Sequence, residues 1–268
     1  MDHQLNEIFL KSGIEYASAL KYEDCREINP GLIKKLGFIP RSVIMFLLPY
    51  FVSIPQNFSA YASSVDYHIL LNKIGEEILL ELKKLYPENQ FAIFGDHSPI
   101  DERKAAATCG LGIIGDNGLL INEKYGSYVF IGEFISDLEG ESLGEIKREE
   151  IKYCEHCGKC KNACPTAALS NCENACLSAI TQKKGELSEE EVSLMLSQNT
   201  VWGCDACQRA CPYNSAPAFT PVSSFYTDRI DALSSADIER MSDEEFASRA
   251  FSWRGRNTIL RNLKYLGY

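Results

Sequence analysis

The sequence predicts an α+β protein in which a domain of strands and helices precedes a cysteine-rich module. Short apolar runs and one strongly periodic segment occupy residues 1–145, whereas nine of the eleven cysteines lie between Cys154 and Cys211. A polar segment with helical periodicity follows Pro221. We therefore expect an α/β domain at 1–145, a cysteine module at 146–220, and a helical tail at 221–268 that packs back on the core.

Two segments of the first domain carry clear secondary-structure signals. Val43–Leu48 is an apolar run between Pro40 and Pro49, which predicts a buried strand. An amphipathic helix is predicted from about Asp66, ending before Pro87, because apolar residues recur at helical spacing: Leu71, Ile74, Ile78, Leu82 and Leu85.

The rest of the first domain is predicted to consist of strands joined by polar and glycine-rich loops. Phe91–Phe94 predicts a strand that leads into a loop at Gly95–Pro99. Residues 119–122 and 128–135 predict two further strands, which we expect to pair as a hairpin. The acidic segment 136–150 predicts a linker to the cysteine module.

The cysteine module opens with Cys154-x2-Cys157-x2-Cys160-x3-Cys164-Pro165, and a second run reads Cys204-x2-Cys207-x3-Cys211-Pro212. This is the spacing of bacterial two-cluster ferredoxins, in which three thiolates bind one iron–sulfur cluster and the fourth binds the other. A zinc ribbon would use two x2 pairs, and a disulfide framework is typical of small secreted chains. The spacing therefore predicts two 4Fe-4S clusters and electron transfer.

Two such clusters need eight thiolate ligands, and the module contains nine cysteines. For the first cluster we expect the opening triplet together with the Cys-Pro of the second run: Cys154, Cys157, Cys160 and Cys211. The second cluster takes Cys204, Cys207 and Cys164. Spacing leaves its last ligand open between Cys172 and Cys176. The two cysteines outside the module, Cys25 and Cys109, are expected to be small buried hydrophobes.

Composition limits the compartment and the partners. Free thiolates in this number imply a reducing cytoplasm, and no stretch approaches the ~20 apolar residues of a membrane span. The net charge of −10 argues against binding nucleic acid by bulk electrostatics. A local basic strip lies near the C-terminus, either as a solvated helix face or as a nucleic-acid contact: Arg249, Arg254, Arg256, Arg261 and Lys264.

Asp96 is the candidate catalytic residue, because it follows a predicted strand and lies beside His97. Desolvation of such a carboxyl would raise its pKa and allow it to act as a general acid. The structural alternative is an Asx-turn before Pro99.

Two further segments have both structural and functional interpretations. Asp66 can cap the predicted helix, with Tyr67 and His68 in its first turn. The run Gly110-x-Gly112-x2-Gly115 matches a dinucleotide loop in spacing, but a strand follows it almost at once instead of a long helix. A nicotinamide cofactor is therefore disfavoured.

Taken in order, these motifs resemble those of the epoxyqueuosine reductase family, cobalamin-dependent enzymes related to reductive dehalogenases. The resemblance covers nearly the whole chain. It rests on Asp66-Tyr67-His68, Asp96-x-Ser98-Pro99 with Glu102-Arg103, the glycine run through Asn117, both cysteine runs including Gly203-Cys204-Asp205-x-Cys207-Gln208, and Trp253-Arg254-Gly255 with Arg261-Asn262. The chain resembles a short form that lacks the C-terminal helical-repeat extension of longer members.

The resemblance implies roles that spacing does not give. It implies a nitroreductase-like cobalamin-binding domain, Cys176 as the last cluster ligand, and Asp96 as the proton donor to the epoxide oxygen. It places Asp66, Tyr67, His68, Gly112, Gly115 and Asn117 around the cobalamin. The clusters would supply electrons to form cob(I)alamin, and the reaction would reduce epoxyqueuosine in tRNA to queuosine, with flavodoxin or ferredoxin as external electron donor.

The chain departs from the family at two positions of the glycine run. The family commonly has Trp where this chain has Ile113 and Lys where it has Asp116, which reverses the local charge. Three alternatives follow: a cobalamin and iron–sulfur reductase of another small epoxide or halide, a two-cluster electron-transfer protein without catalysis of its own, and an activator of a corrinoid protein.

Overall fold

The structure is a computed structural model and describes residues 1–144, 146 and 148–268. Six strands are assigned: β1 Ala17–Lys21, β2 Ser42–Pro49, β3 Phe91–Phe94, β4 Ile113–Ile114, β5 Leu120–Ile121 and β6 Val129–Ser136. The helices are α1 His3–Lys11, α2 Pro30–Ile33, α3 Tyr67–Leu85, α4 Glu102–Thr108, α5 Lys159–Ala163, α6 Leu177–Thr181, α7 Glu189–Gln198, α8 Ala206–Arg209, α9 Ser235–Arg240, α10 Asp243–Ala247 and α11 Arg256–Leu266. Within the described residues, no helix combines the length and the apolar character needed to cross a bilayer.

The chain divides into two compact units. The first comprises residues 1–49 and 70–156, and the second comprises residues 50–69 and 157–268. The segment 50–69 joins the second unit through backbone hydrogen bonds, including Ser59 N–H to Trp202 O at 2.8 Å and Gln56 N–H to Asp231 O at 2.7 Å. Phe58 adds apolar contact with the cluster around Trp202.

The first unit is built on a four-stranded antiparallel sheet in the order β1-β2-β6-β3. Every residue of β2 is buried, as its continuous apolar run predicts. Val43, Met45 and Leu47 pack with the alanines of α4, whereas the Phe46 ring stacks on Phe134 at a centroid distance of 5.6 Å. Both faces of β2 are therefore covered.

The predicted strands at 43–48 and 91–94 and the helix before Pro87 are confirmed. The predicted hairpin between 119–122 and 128–135 is wrong. The β5 strand pairs with β4, and β6 lies between β2 and β3 in the main sheet. The linker interpretation is wrong for 138–143, because Leu138 and Leu143 are buried there. Part of that predicted linker, Glu145 and Lys147, lies outside the described residues.

The second unit is made of short helices around two apolar clusters. The larger cluster contains Trp202 and Phe251 together with the last helix, α11. The smaller cluster joins Leu177 and Ile180 of α6 to Met195 of α7. Asn262 of α11 is fully buried and donates to Thr181 O at 2.7 Å and Val201 O at 2.8 Å. These bonds tie the C-terminal helix to the cysteine module.

Candidate cluster and proton-donor sites

Four cysteine thiols gather within the second unit. Burial, together with the neighbouring thiols Cys204, Cys176 and Cys164, raises the pKa of Cys207 to about 12. Burial also raises the pKa of Cys204 to about 11, and Cys176 and Cys164 contribute again. Because Coulomb interactions weaken with distance, Cys164 and Cys176 lie near Cys204 and Cys207. The quartet is the set that the sequence and the resemblance assign to the second cluster.

Backbone N–H groups surround Cys164. Burial alone would raise the pKa of this thiol, but hydrogen bonds from the backbones of Leu169, Thr166 and Ala168 lower it. The Pro165 that follows the cysteine fits this local turn, because proline itself needs no hydrogen-bond acceptor. Donors aimed at sulfur stabilise a thiolate and a bound cluster.

Asp205 anchors the loop that carries Cys204 and Cys207. Its side chain accepts hydrogen bonds from Ser59 Oγ and, at 2.7 Å, from Ala60 N–H. Burial raises the pKa of Asp205 above its ordinary value. The Gly-Cys-Asp sequence thus fixes the cysteine loop against residues 59–60 of the same unit.

Cys154, the first cysteine of the motif, lies in the first unit. Its backbone N–H donates to Ile114 O at 3.0 Å, and its Sγ accepts from Asp116 N–H at 3.4 Å. The ring of His156 contacts Asp116, with Nδ1 2.6 Å from Oδ1. The acidic residue at position 116 therefore pairs with the histidine of the cysteine motif.

The remaining motif cysteines belong to the second unit. Cys160 is buried in α5, Cys157 is exposed and Cys211 is half-buried just before Pro212. Cys172 is exposed and is not among the main causes of the pKa shifts of Cys204 and Cys207. Cys109 is buried in the apolar core of the first unit, as expected, whereas Cys25 is half-buried and packs against that core. Burial raises the pKa of each thiol.

Asp96 follows β3 in the loop that leads to α4, as the sequence predicts. It has a φ of 63°, a left-handed conformation that is uncommon for a residue with a side chain. Asp96 is exposed, whereas a desolvated carboxyl was expected. Burial instead raises the pKa of two nearby carboxyls, Glu102 and Glu133, for which the sequence pattern indicates no role.

Glu133 lies in the middle of β6 and is fully buried. Its pKa is raised to about 8, mainly by burial and also by the charge of Glu102. A hydrogen bond from Ser98 acts in the opposite direction and lowers it. Burial and the charge of Asp96 raise the pKa of Glu102 to about 7. A polar residue within the apolar strand Val129–Ser136 was the signal available in the sequence.

The ionisation of Glu133 predicts a pH-dependent stability. Its pKa is raised from 4.5 to about 8, so its protonated form favours folding below pH 4.5 and this contribution is lost as pH rises through 8. We expect Glu133→Gln to be more stable than the native chain above pH 8, by on the order of a few kcal/mol. Anaerobic denaturant unfolding at a series of pH values measures this, and Glu77→Gln, on the exposed face of α3, is the control. If the free energies of unfolding of the native chain and of Glu133→Gln changed with pH in parallel, this prediction would be contradicted.

The residues expected around a cobalamin form two local groups. In the second unit, Asp66 accepts from His68 N–H at 2.9 Å, as a helix cap does, and the Tyr67 and His68 rings stack at 4.0 Å. In the first unit, Gly112 and Gly115 lie at the β4–β5 hairpin. A Cβ on Gly112 would lie 2.5 Å from Ile121 O, so packing alone accounts for this glycine.

Asn117 lies in the turn of that hairpin. Its Oδ1 accepts from Leu119 N–H at 3.3 Å, while its buried Nδ2 has no hydrogen-bond partner among the residues that the structure describes. Arg103 of α4 donates to Gly118 O at 2.8 Å. The helix that follows the Asp96 loop therefore also contacts the glycine-rich turn.

Three arginines of the basic strip donate hydrogen bonds to backbone carbonyls within the second unit. Arg249 donates to Asp228 O, and Arg261 donates to Lys183 O and Gly185 O. Arg256 donates to the carbonyl oxygens of Ile238, Met241 and Ser242. Arg254 differs, because its guanidinium lies 3.8 Å from the centroid of the exposed Trp253 ring.

Comparison with known proteins agrees with this arrangement. Residues 153–214 match the 4Fe-4S double cluster binding domain. The chain is 31% identical over 244 residues to the epoxyqueuosine reductase of Leadbetterella byssophila, covering 87% of this chain and 76% of the relative. It is 32% identical over 225 residues to that of Lactococcus garvieae, covering 78% and 60%.

A solved structure shares the fold. It is an epoxyqueuosine reductase with a tRNA-Tyr epoxyqueuosine-modified tRNA stem loop; the TM-score is 0.78 at 22% identity, covering 98% of this chain and 80% of that one. The predicted combination of a mixed helix and sheet domain with a two-cluster module is thereby confirmed.

These features define an iron–sulfur protein of the double-cluster class. The chain belongs to the epoxyqueuosine reductase family, as its motifs indicate. It spans between 60% and 76% of the length of the two curated relatives described above.

Proposed function

We propose that this chain reduces epoxyqueuosine in tRNA to queuosine, using cobalamin and two 4Fe-4S clusters. The observation that carries the proposal is the alignment with an epoxyqueuosine reductase over 87% of the chain, which includes both the Asp96 loop and the cysteine module. Removing the epoxide oxygen as water consumes two electrons and two protons, so the site has to supply both.

Eight cysteines are the proposed cluster ligands. Cys154, Cys157, Cys160 and Cys211 hold the first cluster, and Cys164, Cys176, Cys204 and Cys207 hold the second. The electrostatic effect of Cys164 and Cys176 on Cys204 and Cys207 supports the second set. The Asp116 N–H contact to Cys154 Sγ fits a ligating thiolate in the first set. Flavodoxin or ferredoxin is the proposed external electron donor.

Bound cobalamin supplies a strongly reducing cobalt centre for the epoxide carbon. The residues proposed to line it are Asp66, Tyr67, His68, Gly112, Gly115 and Asn117. The buried, unpartnered Nδ2 of Asn117 fits this role, since a corrin ring carries amide groups whose oxygens accept hydrogen bonds. Cobalamin and substrate binding are assigned to 1–145, cluster binding to 146–220, and a supporting role to the helical tail 221–268.

Asp96 is the proposed proton donor to the epoxide oxygen. Its exposed carboxyl follows a strand of the central sheet, where a rigid scaffold positions it. Protonation of the oxygen as the carbon–oxygen bond breaks avoids an alkoxide leaving group, which is the usual contribution of a general acid.

A tRNA substrate is supported by the fold shared with a reductase bound to a modified tRNA stem loop. Trp253 with Arg254 is the proposed contact, because an exposed aromatic ring and a guanidinium suit unpaired bases and phosphates. The internal contacts of Arg249, Arg256 and Arg261 favour one alternative, a reductase of another small epoxide.

One experiment tests the proposal. The chain is reconstituted anaerobically with iron and sulfide, loaded with cobalamin, and incubated with a reductant and epoxyqueuosine-containing tRNA. Two clusters by iron analysis, a cob(II)alamin EPR signal and loss of the epoxide oxygen by nucleoside mass spectrometry are expected. A loaded enzyme that reduces the free epoxynucleoside but leaves the tRNA unchanged would favour the alternative. A chain that binds no cobalamin would overturn both reductase functions.

A further inference from the structure

Two carboxyl groups, the half-buried Glu102 and the buried Glu133, hold the loop that carries Asp96. The loop runs from Gly95 to Asp101, between β3 and α4, in the first unit. Its ends are fixed by the sheet and by the helix, since Phe94 pairs with Glu133 across β3 and β6 and Asp101 caps α4. The conformation between these ends depends on side chains.

Glu102 holds the loop at Asp96. Its Oε2 accepts a hydrogen bond from Asp96 N–H at 3.1 Å, so the first residue of α4 reaches back to the proposed proton donor. The left-handed conformation of Asp96 costs roughly 1 kcal/mol for a residue with a side chain. A hydrogen bond from the amide of that same residue offsets such a cost.

Glu133 holds the loop two residues further on. Its Oε1 accepts from Ser98 Oγ at 2.5 Å, and Ser98 Oγ accepts from Ile100 N–H at 2.9 Å. Ser98 and Ile100 are buried. Within the described residues, Glu133 Oε2 has no hydrogen-bond partner. Glu133 is therefore an interior anchor, whereas Glu102 contacts the residue proposed to react.

The charge of Glu102 acts on Glu133 and raises its pKa. The charged groups that act on Glu102 are Asp96, Arg103 and Asp101. Like charges in a buried site disfavour double ionisation. Since the pKa of Glu102 is about 7, its charge changes near neutral pH.

We propose that Glu102 is a positioning residue that fixes the backbone of Asp96, through the hydrogen bond from Asp96 N–H, in the conformation from which its carboxyl protonates the substrate. The inference rests on the proposed function, in which Asp96 is the proton donor. Glu102 itself does not exchange a proton with the substrate, and its carboxyl oxygen acts only as the acceptor that sets the loop.

Two substitutions distinguish the role of Glu102 as a hydrogen-bond acceptor from the role of its charge. Glu102→Ala removes the acceptor, whereas Glu102→Gln keeps an amide oxygen in its place and removes the ionisation. Glu77→Ala, at an exposed position of α3, is the matched control. All three variants are prepared as the full chain with clusters and cobalamin, and iron content and thermal melting establish that each is folded.

The first readout is hydrogen exchange of the Asp96 amide by mass spectrometry, which does not depend on activity. We expect Glu102→Ala to exchange at least about tenfold faster at this amide, and Glu102→Gln and Glu77→Ala to exchange like the native chain. Native-like exchange in a folded Glu102→Ala, or exchange in Glu102→Gln as fast as in Glu102→Ala, would overturn the proposal.

The second readout is turnover of epoxyqueuosine in tRNA. Glu102→Ala is expected to lower kcat roughly 10- to 100-fold with an unchanged KM, while Glu102→Gln retains kcat within a few-fold. If Glu102→Ala does not fold, Glu102→Met, which removes the acceptor but keeps most of the side-chain volume, takes its place in the exchange measurement, and native-like exchange of the Asp96 amide in that variant overturns the proposal. A native chain without turnover would contradict the proposed function. The hydrogen-exchange measurement would still test whether Glu102 fixes the Asp96 backbone.

Discussion

Replacing Cys176 with alanine is expected to remove one of the two clusters, whereas replacing Cys172 with alanine is expected to leave both. The two cysteines are matched controls, because both are exposed and they lie four residues apart. Of these two cysteines, only Cys176 is among the main electrostatic causes of the raised pKa values of Cys204 and Cys207. A 4Fe-4S cluster that has lost one of its thiolate ligands is labile.

The measurement is iron and sulfide content per chain after anaerobic reconstitution. Cys176→Ala should retain about half of the native iron and lose turnover, since electrons no longer pass through both clusters. Cys172→Ala should match the native chain in both respects. Full iron in Cys176→Ala together with halved iron in Cys172→Ala would reverse the ligand assignment.

Asp96→Asn is expected to lower turnover by ~10²–10⁴ while iron content and cobalamin binding stay native. Asparagine has nearly the same shape as aspartate and can keep the backbone hydrogen bond to Glu102, but it cannot donate an acidic proton. The assay is single-turnover conversion of epoxyqueuosine-containing tRNA, monitored by mass spectrometry.

His97→Gln is the control for this substitution, because His97 is the exposed neighbour of Asp96 in the same loop. Its turnover should remain within a few-fold of the native value. If Asp96→Asn were fully active and His97→Gln inactive, the proton donor would be His97. The proposed role of Glu102 in positioning the proton donor would then be wrong as well.

Local sequence patterns were sufficient to predict those elements that depend only on the burial of their own residues. The apolar run of β2 and the spacing of Leu71, Ile74, Ile78 and Leu82 in α3 follow from burial of a whole strand and of one helix face. The cysteine runs predicted the cluster chemistry because ligand spacing is itself a short-range property.

Features that depend on distant segments were not predictable in this way. The β6 strand pairs with β2 and β3 instead of its sequence neighbour β5, and periodicity does not indicate the partner of a strand. The contacts of the basic strip are another such feature. The carbonyl oxygens that accept hydrogen bonds from Arg256 and Arg261 belong to segments distant in the sequence.

The roles of Glu102 and Glu133 were only partly predictable from the sequence. The motif Glu102-Arg103 does not indicate a role for Glu102, because its contact with Asp96 N–H depends on the turn between β3 and α4. Glu133 stands in an apolar strand, and that mismatch alone could have indicated a buried carboxyl of unusual pKa.

The discontinuous second unit has a consequence for biosynthesis. Residues 50–69 leave the ribosome well before their hydrogen-bonding partners at 201–202 and 231. At ~5–20 residues per second they wait unpaired for roughly 7 to 30 seconds. Phe58 is exposed to solvent or to a chaperone during that delay. Newly made chains should therefore be most vulnerable to proteases in this segment, and cluster insertion is expected only after the last helix has been translated.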